Sequence, residues 1–180
     1  MGEKSFQKEL QNDPRSTDDY IFQDIKYWDK LPDFTELELV MYVDPAIKSG
    51  KNNDFSAITI LGQHRKTKQK YVIDGSIHKV LPDDLFQIAI DKLDQFPVDK
   101  IGFEVTAAQS YMCLKFNEAL YNNQIYTPVE GVISKGNKHE RIISLEPEVK
   151  NGHILFNNGN IRDNNQVKDY NRGAKYDDAA

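Results

Sequence analysis

The sequence has little or nothing of several features that define protein classes. Cys113 is the only cysteine among 180 residues, so no internal disulfide can form and a reducing compartment is indicated. No Cys-x-x-Cys pair or zinc-like Cys and His spacing is present. No apolar run approaches the roughly 20 residues that a membrane-spanning helix needs. The first ten residues, MGEKSFQKEL, lack the apolar stretch of a secretory signal, so we expect none.

The chain also lacks a net positive charge. Its formal charge is −5, which argues against a strong overall attraction to nucleic acid. Two short stretches are nevertheless basic, HRKTKQK at 64–70 and SKGNKHER at 134–141. Each stretch can bind phosphates locally or be a solvated loop, and the composition leaves both interpretations open.

The sequence does contain enough apolar material for a folded core. Hydrophobic residues make up 39% of it, with nine Phe, nine Tyr and one Trp, so the chain is not of the disordered class. Apolar runs, alternation and helical stripes predict the elements. In chain order these are strands at 36–44, 55–63 and 69–76, a helix at 81–96, a strand at 100–105, a helix at 110–123, a strand at 126–133, a helix over the first part of 138–149, a strand at 152–156 and a helix at 164–173.

This element order predicts an α/β fold. Three strands joined by short connections favour an antiparallel meander, with a turn at Asp74 and Gly75 after the third strand, whereas later strands that alternate with helices join a sheet in parallel. We expect a mixed central β-sheet flanked by helices over residues 37–180. Residues 1–36 are polar and acidic, and we expect a linker or extension there that Trp28 packs onto the domain. Pro147 should limit the helix that begins at 138.

Acidic residues end two of the apolar strands. Asp44 follows VMYV and Glu104 follows IGF. If these strands are neighbours, both carboxylates lie at one end of the sheet, and Asp177 and Asp178 of YDD would approach from a terminal helix. Converging carboxylates repel one another unless a cation is bound, and oxygen ligands without Cys or His suit Mg²⁺ or Mn²⁺. The pattern favours a metal site over the alternative that each acid is a turn residue or helix cap.

The same segments resemble the RNase H-like nuclease and integrase superfamily. More narrowly, the chain resembles the C-terminal nuclease domain of the large terminase subunit of tailed bacteriophages. The resemblance covers nearly the whole chain and rests on VDPAIKSGKNNDFSAI, IGFEVTAAQ, KGNKHERIISLEPEVKNGHILF and KYDDAA. The stretch FQKELQNDPRSTDDYIF is similar to the segment that leaves the family's ATPase domain.

The resemblance implies an RNase H-like fold and a metal-dependent endonuclease that cleaves concatemeric double-stranded DNA during viral genome packaging. Asp44, Glu104 and either Asp177 or Asp178 would bind two Mg²⁺ or Mn²⁺ ions for phosphodiester hydrolysis. The sequence does not choose between the last two acids or between the metals. Asp54 is either a loop acid or a residue that supports these ligands without binding the metal.

Further implications concern DNA and partners. Lys138 and Arg141 match the family's basic stretch and, with Lys135, would lie near the DNA backbone. No Walker A glycine-rich loop is present, so we expect no ATPase activity. Residues 1–36 would follow an absent ATPase domain, and 37–180 would be a C-terminally truncated nuclease domain. The full protein would contact the small terminase subunit and the portal in the host cell cytoplasm, without a membrane and outside the mature virion.

Two other functions remain open. One is a Holliday-junction resolvase or transposase-type nuclease of the same superfamily, which a preference for branched over linear DNA would indicate. The other is a non-catalytic DNA-binding module, which the absence of metal-dependent cutting would indicate.

Overall fold

The computed structural model describes residues 20–22, 24–45, 55–105 and 110–170. Within these ranges seven strands form one sheet. They are β1 (Lys26–Tyr27), β2 (Leu37–Asp44), β3 (Ser56–His64), β4 (Lys70–His78), β5 (Lys100–Glu104), β6 (Val129–Val132) and β7 (Ile154–Phe156). The α-helices of the described ranges are α1 (Pro82–Gln95), α2 (Ser110–Asn122), α3 (Lys138–Ile143), α4 (Glu146–Asn151) and α5 (Ile161–Asp169). None of these helices is long and apolar enough to cross a membrane.

The strands lie in the order β1-β7-β4-β3-β2-β5-β6. Strands β2, β3 and β4 form an antiparallel meander. Strand β5 runs parallel to β2, and β6 runs parallel to β5. Strand β7 is parallel to both β4 and β1. The predicted mixed sheet, antiparallel first and parallel later, is confirmed.

The alternation of side chains along β2 separates the two faces of the sheet. Leu37, Leu39, Met41 and Val43 are at most 1% exposed and lie in the main apolar core with residues of α1 and α2. The residues between them, ending with Asp44, are partly exposed and belong to the other face, because strand side chains alternate with a period of two. Asp44 therefore follows a buried run without entering the core.

The second face carries a smaller apolar cluster, to which α3, α4, β7 and residues near the start of the described chain contribute. Its buried members are Phe22, Ile25, Ile142, Val149, Ile154, Phe156 and Tyr170. Trp28 Nε1 donates a hydrogen bond to the Val72 carbonyl oxygen at 3.0 Å, so the described part of segment 1–36 does pack on the sheet through Trp28. Strand β1 also adds to one edge of the sheet.

Some local predictions were wrong. Asp74 and Gly75 do not form an exit turn, because β4 continues to His78. The pairing of β4 with β3 shifts register between Ile60 and Leu61 of β3. The Asp74 carboxylate pairs with Lys92 of α1, which explains an acid within a strand.

Helix boundaries also differ from those expected. Pro147 lies in the first turn of α4, where its missing N–H has no helical partner to lose. The helix that begins at Lys138 ends at Ile143, within the expected first part of 138–149, and the separate helix α4 that follows it was not expected. The last helix begins at Ile161 instead of residue 164 and ends at Asp169.

Candidate functional site

Two carboxylates lie side by side at one end of the sheet. Strands β2 and β5 are parallel neighbours, and Val43 is in register with Phe103. Asp44 and Glu104, the next residue of each strand, therefore end the two strands at the same level. Both line a groove on the second face of the sheet, the face that carries the smaller apolar cluster. The arrangement expected from the sequence for these two acids is present.

The groove has a volume of about 500 Å³ and combines acidic, basic and apolar surfaces. Asp44, Glu104 and Tyr42 come from the sheet, and Lys138 and Arg141 come from α3. The remaining lining residues are Val40, Ala57, Thr59, Leu61, Ile142 and Leu145. A cation can be held by the carboxylates while an anion is attracted to the basic helix, so the groove suits a phosphate ester together with a metal ion.

Ser134 connects the acidic and basic sides of the groove. Its Oγ donates a hydrogen bond to Glu104 Oε1 at 2.6 Å, and Arg141 Nη1 donates to Ser134 Oγ at 3.2 Å. Sequence reasoning did not identify Ser134. A usable signal exists, because Ser134 comes two residues after β6, the strand that runs parallel to β5 with Val132 beside Glu104.

Tyr42 lies among these groups on β2. Burial raises the pKa of its hydroxyl, the negative charges of Glu104 and Asp44 raise it further, and a hydrogen bond with Ser134 opposes them. Tyr42 is therefore neutral at physiological pH. Its ring packs closely on Gly102, where a Cβ atom would lie 2.9 Å from Tyr42 Cδ2. Tyr42 and Gly102 are further site residues that the sequence did not reveal.

Helix α3 is short, and specific contacts hold it at the groove. The Asn137 side chain caps its start by accepting a hydrogen bond from the His139 backbone N–H at 2.9 Å. Ile142 is buried in the second apolar cluster, and His139 Nδ1 lies 2.6 Å from the Tyr170 hydroxyl oxygen. These contacts fix the side of α3 that presents Lys138 and Arg141 to the groove.

The other predicted site residues are not all near these groups. Lys135 is exposed in the segment between β6 and α3 and is not among the groove-lining residues. Asp54, Asp177 and Asp178 lie outside the described residues. In the described part of the chain, no group of three or more His, Cys, Asp or Glu side chains could hold a metal ion. The third ligand and the role of Asp54 therefore stay predictions.

The two basic stretches of the sequence lie at opposite ends of the meander. Asp44 is paired with Ala57 at one end of β3, whereas Leu37 is paired with His64 at the other. Seven residues of strand separate these ends by roughly 23 Å. The turn after His64 contains Arg65, whose Nη2 lies 3.5 Å from Asp99 Oδ1. Only the 134–141 stretch reaches the groove.

Comparison with known proteins identifies the fold. No protein-family model matches the sequence, and no curated protein matches it. The nuclease domain of the P22 large terminase matches with a TM-score of 0.65 and 15% identity, over 88% of this chain and 85% of that one. The human cytomegalovirus terminase nuclease domain matches with a TM-score of 0.62 and 13% identity, over 88% and 86%.

Two further solved structures are similar. A manganese-soaked, inhibitor-bound form of the cytomegalovirus domain matches with a TM-score of 0.59 and 13% identity, over 81% of this chain and 80% of that one. The large terminase from a thermophilic bacteriophage matches with a TM-score of 0.59 and 12% identity, over 88% of this chain but 39% of its own. The chain thus has the RNase H-like fold of terminase nuclease domains.

Proposed function

We propose that this chain is the nuclease domain of a viral DNA-packaging terminase large subunit and cleaves double-stranded DNA with divalent cations. One observation carries the proposal. Asp44 and Glu104 end neighbouring parallel strands and face a groove whose other wall bears Lys138 and Arg141. The terminase nuclease fold supports this chemistry over others that two carboxylates could perform.

The cations would be held by Asp44 and Glu104, with Asp177 or Asp178 as a third ligand. An oxygen-only donor set fits Mg²⁺ or Mn²⁺, and the similar cytomegalovirus domain was soaked with manganese. Tyr170 contacts α3, which lines the groove. Asp177 follows Tyr170 by seven residues, which span at most about 25 Å, so the chain is long enough for Asp177 to contribute to the site. Two bound cations would activate a water molecule and stabilise the leaving oxygen of the phosphodiester.

The protein's own side chains would bind and orient the DNA. Lys138 and Arg141 would contact backbone phosphates at the cleaved bond, and Lys135 would extend the contact outside the groove. Such contacts do not distinguish sequences, which suits an enzyme that cuts with little sequence preference. The apolar walls of the groove would limit the access of bulk water around the carboxylates.

The wider context is also proposed. The large terminase of the thermophilic bacteriophage is longer than the part that this chain matches, so a full-length protein would add an ATPase domain joined through the segment 1–36. The later part of that segment, with β1 and the buried Phe22 and Ile25, belongs to the nuclease domain together with residues 37–180. The full-length protein would act in the host cell cytoplasm with the small terminase subunit and the portal.

The test is metal-dependent nicking of supercoiled plasmid. Wild-type protein should nick in Mg²⁺ or Mn²⁺ and stop in EDTA. Asp44→Asn and Glu104→Gln should each lower the rate by about a thousandfold or more, since losing a metal ligand removes several kcal/mol of transition-state stabilisation. Asp91→Asn is the matched control, because Asp91 is an exposed acid of α1 that accepts a hydrogen bond from Gln87. Equal activity in all four proteins would contradict the proposal.

Two results would indicate a different function. Faster cutting of a four-way junction than of linear duplex would indicate a resolvase-type enzyme. Binding of duplex DNA without cutting in any divalent cation would indicate a non-catalytic module.

A further inference from the structure

We infer that Ser134 is a positioning residue, which holds the Glu104 carboxylate in the orientation needed to bind a cation and is itself fixed by Arg141. This inference rests on the proposed function. It assigns a role to a residue that contacts a proposed metal ligand on one side and a proposed DNA-binding side chain on the other.

Hydrogen-bond chemistry fixes the direction of the two bonds. A guanidinium has only donors, so Ser134 Oγ must accept from Arg141. An ionised carboxylate has no proton to give, so Ser134 is the donor in its bond with Glu104. The 2.6 Å separation between Ser134 Oγ and Glu104 Oε1 is typical of a hydroxyl bonded to a charged carboxylate.

The bond constrains the last torsion of Glu104. That torsion is broad in a free side chain, and two hydroxyl groups limit it here, Ser134 by its short bond to Oε1 and Tyr42 by a hydrogen bond with Glu104. With Oε1 held by Ser134, the position of Oε2 is also set. A preset ligand loses less freedom when a cation binds, and Mg²⁺ in particular demands near-ideal geometry.

Arg141 makes the arrangement responsive to the substrate. Its Nη1 bond to Ser134 is longer, at 3.2 Å, and Arg141 lines the groove where phosphates would lie. A phosphate and the metal ligand are therefore linked through one hydroxyl group. Loss of Ser134 should therefore change the cation concentration that nicking requires. Loss of a serine with only a structural role would leave that concentration unchanged.

The experiment compares Ser134→Ala with Ser134→Thr, which keeps the hydroxyl, and with Ser144→Ala. Ser144 Oγ donates to the Arg141 carbonyl oxygen at 2.6 Å, so this control removes a hydroxyl at the end of α3 whose hydrogen bond in the described structure is to backbone. Three quantities are measured. They are Mn²⁺ affinity by calorimetry, the Mn²⁺ concentration for half-maximal nicking, and the orientation of Glu104 in metal-free crystal structures.

We expect Ser134→Ala to weaken Mn²⁺ binding and to raise the half-maximal Mn²⁺ concentration, each by about tenfold, as is usual when the partner of a metal ligand is lost. Ser134→Thr and Ser144→Ala should stay near the wild-type values. Metal-free Ser134→Ala crystals should show Glu104 in more than one orientation. If Ser134→Ala does not fold, Ser134→Cys keeps a weak donor and should show a smaller change in the same direction.

The outcomes separate the two proposals. An unchanged Glu104 orientation in Ser134→Ala or Ser134→Cys overturns the positioning role, whatever the wild type cleaves. A disordered Glu104 carboxylate in the variant, with no cleavage by the wild type in any cation, supports the positioning role and contradicts the nuclease assignment.

Discussion

The two faces of the sheet differ in what lies on them. One face is packed by α1 and α2, and Phe86, Phe103 and Phe116 form a cluster of rings with two centroid separations of 5.2 and 5.3 Å. The other face is only partly covered by α3, α4 and α5, and its uncovered part is the groove that contains Asp44 and Glu104. Both faces are built from the same strands, since β2 and β5 each supply residues to the core and to the groove.

This division has a physical basis. Strand alternation lets one segment bury every second side chain, and the intervening side chains are then free to carry charge. Crowded carboxylates destabilise a fold when no cation is present, so the apolar face must provide the stability. The comparison predicts that substitutions on the packed face change stability and that those on the groove face change function.

The largest effect on stability should come from the packed face. Phe116 is fully buried, and Phe116→Ala should lower the free energy of unfolding by about 3–5 kcal/mol through lost contacts and the cavity left behind. Urea unfolding measures this. Leu114→Ala on the same helix is the control, because Leu114 is 68% exposed, and it should change stability by less than about 0.5 kcal/mol. Equal effects would mean that α2 is not packed on the sheet as described.

Gly102→Ala tests the boundary between the faces. Gly102 lies between core residues of β5, but its missing side chain leaves room for the Tyr42 ring on the groove side. The added methyl group should displace that ring and cost about 1–3 kcal/mol. Because Tyr42 contacts the carboxylate site, nicking should fall by more than the fraction of protein that unfolds. Activity that follows the folded fraction alone would show that Tyr42 has no role there.

The sequence was sufficient for the features that depend on local pattern. An apolar run that ends in an acid located Asp44 and Glu104, and short connections between strands predicted the meander. These features are predictable because each depends on a few neighbouring residues. Alternating strands and helices also predict that later strands join the sheet in parallel, whereas the sequence left open whether β5 pairs with β2.

The remaining features depend on tertiary contacts. Strand β1 has two residues, Lys26–Tyr27, and no apolar pattern marks it, because its pairing with β7 defines it. The contact between Ser134 and Glu104 depends on how far β6 extends beside β5, so the position of Ser134 just after a strand marks it as a candidate but does not identify its partner. Asp74 stays within β4 because Lys92 of α1 supplies an opposite charge, a partner that is distant in sequence.

A smaller effect, on DNA affinity, should come from the basic wall of the groove. Lys138→Ala with Arg141→Ala should weaken binding to duplex DNA by about tenfold at moderate salt and reduce the salt slope by up to about two, one for each lost phosphate contact. Lys66→Ala with Lys68→Ala removes the same charge from the turn at the far end of the meander. Fluorescence anisotropy at several salt concentrations compares them. Equal losses for both pairs would indicate a general charge effect and no specific groove contact.

The smallest effect should come from Asp163, which lies on α5 at the margin of the groove face. Burial raises the pKa of its carboxyl, nearby Asp74 raises it further, and Arg162 and Lys92 oppose them. Its Oδ1 is buried without a hydrogen-bond partner in the described structure.

A raised pKa in the folded state means that protonation of Asp163 stabilises the fold. This stabilisation is complete below the unfolded pKa of about 3.9 and is lost as the pH rises through the folded value. Asp163→Asn should therefore be more stable than wild type at pH 7 by about 1 kcal/mol at most, the low end for an unsatisfied buried polar group, because solvent screens a half-buried carboxyl. The difference should shrink toward pH 3.5. Thermal melts of both proteins across this range measure it, with Asp91→Asn as the exposed control. A gain that is constant with pH would mean that charge at Asp163 is not its cause.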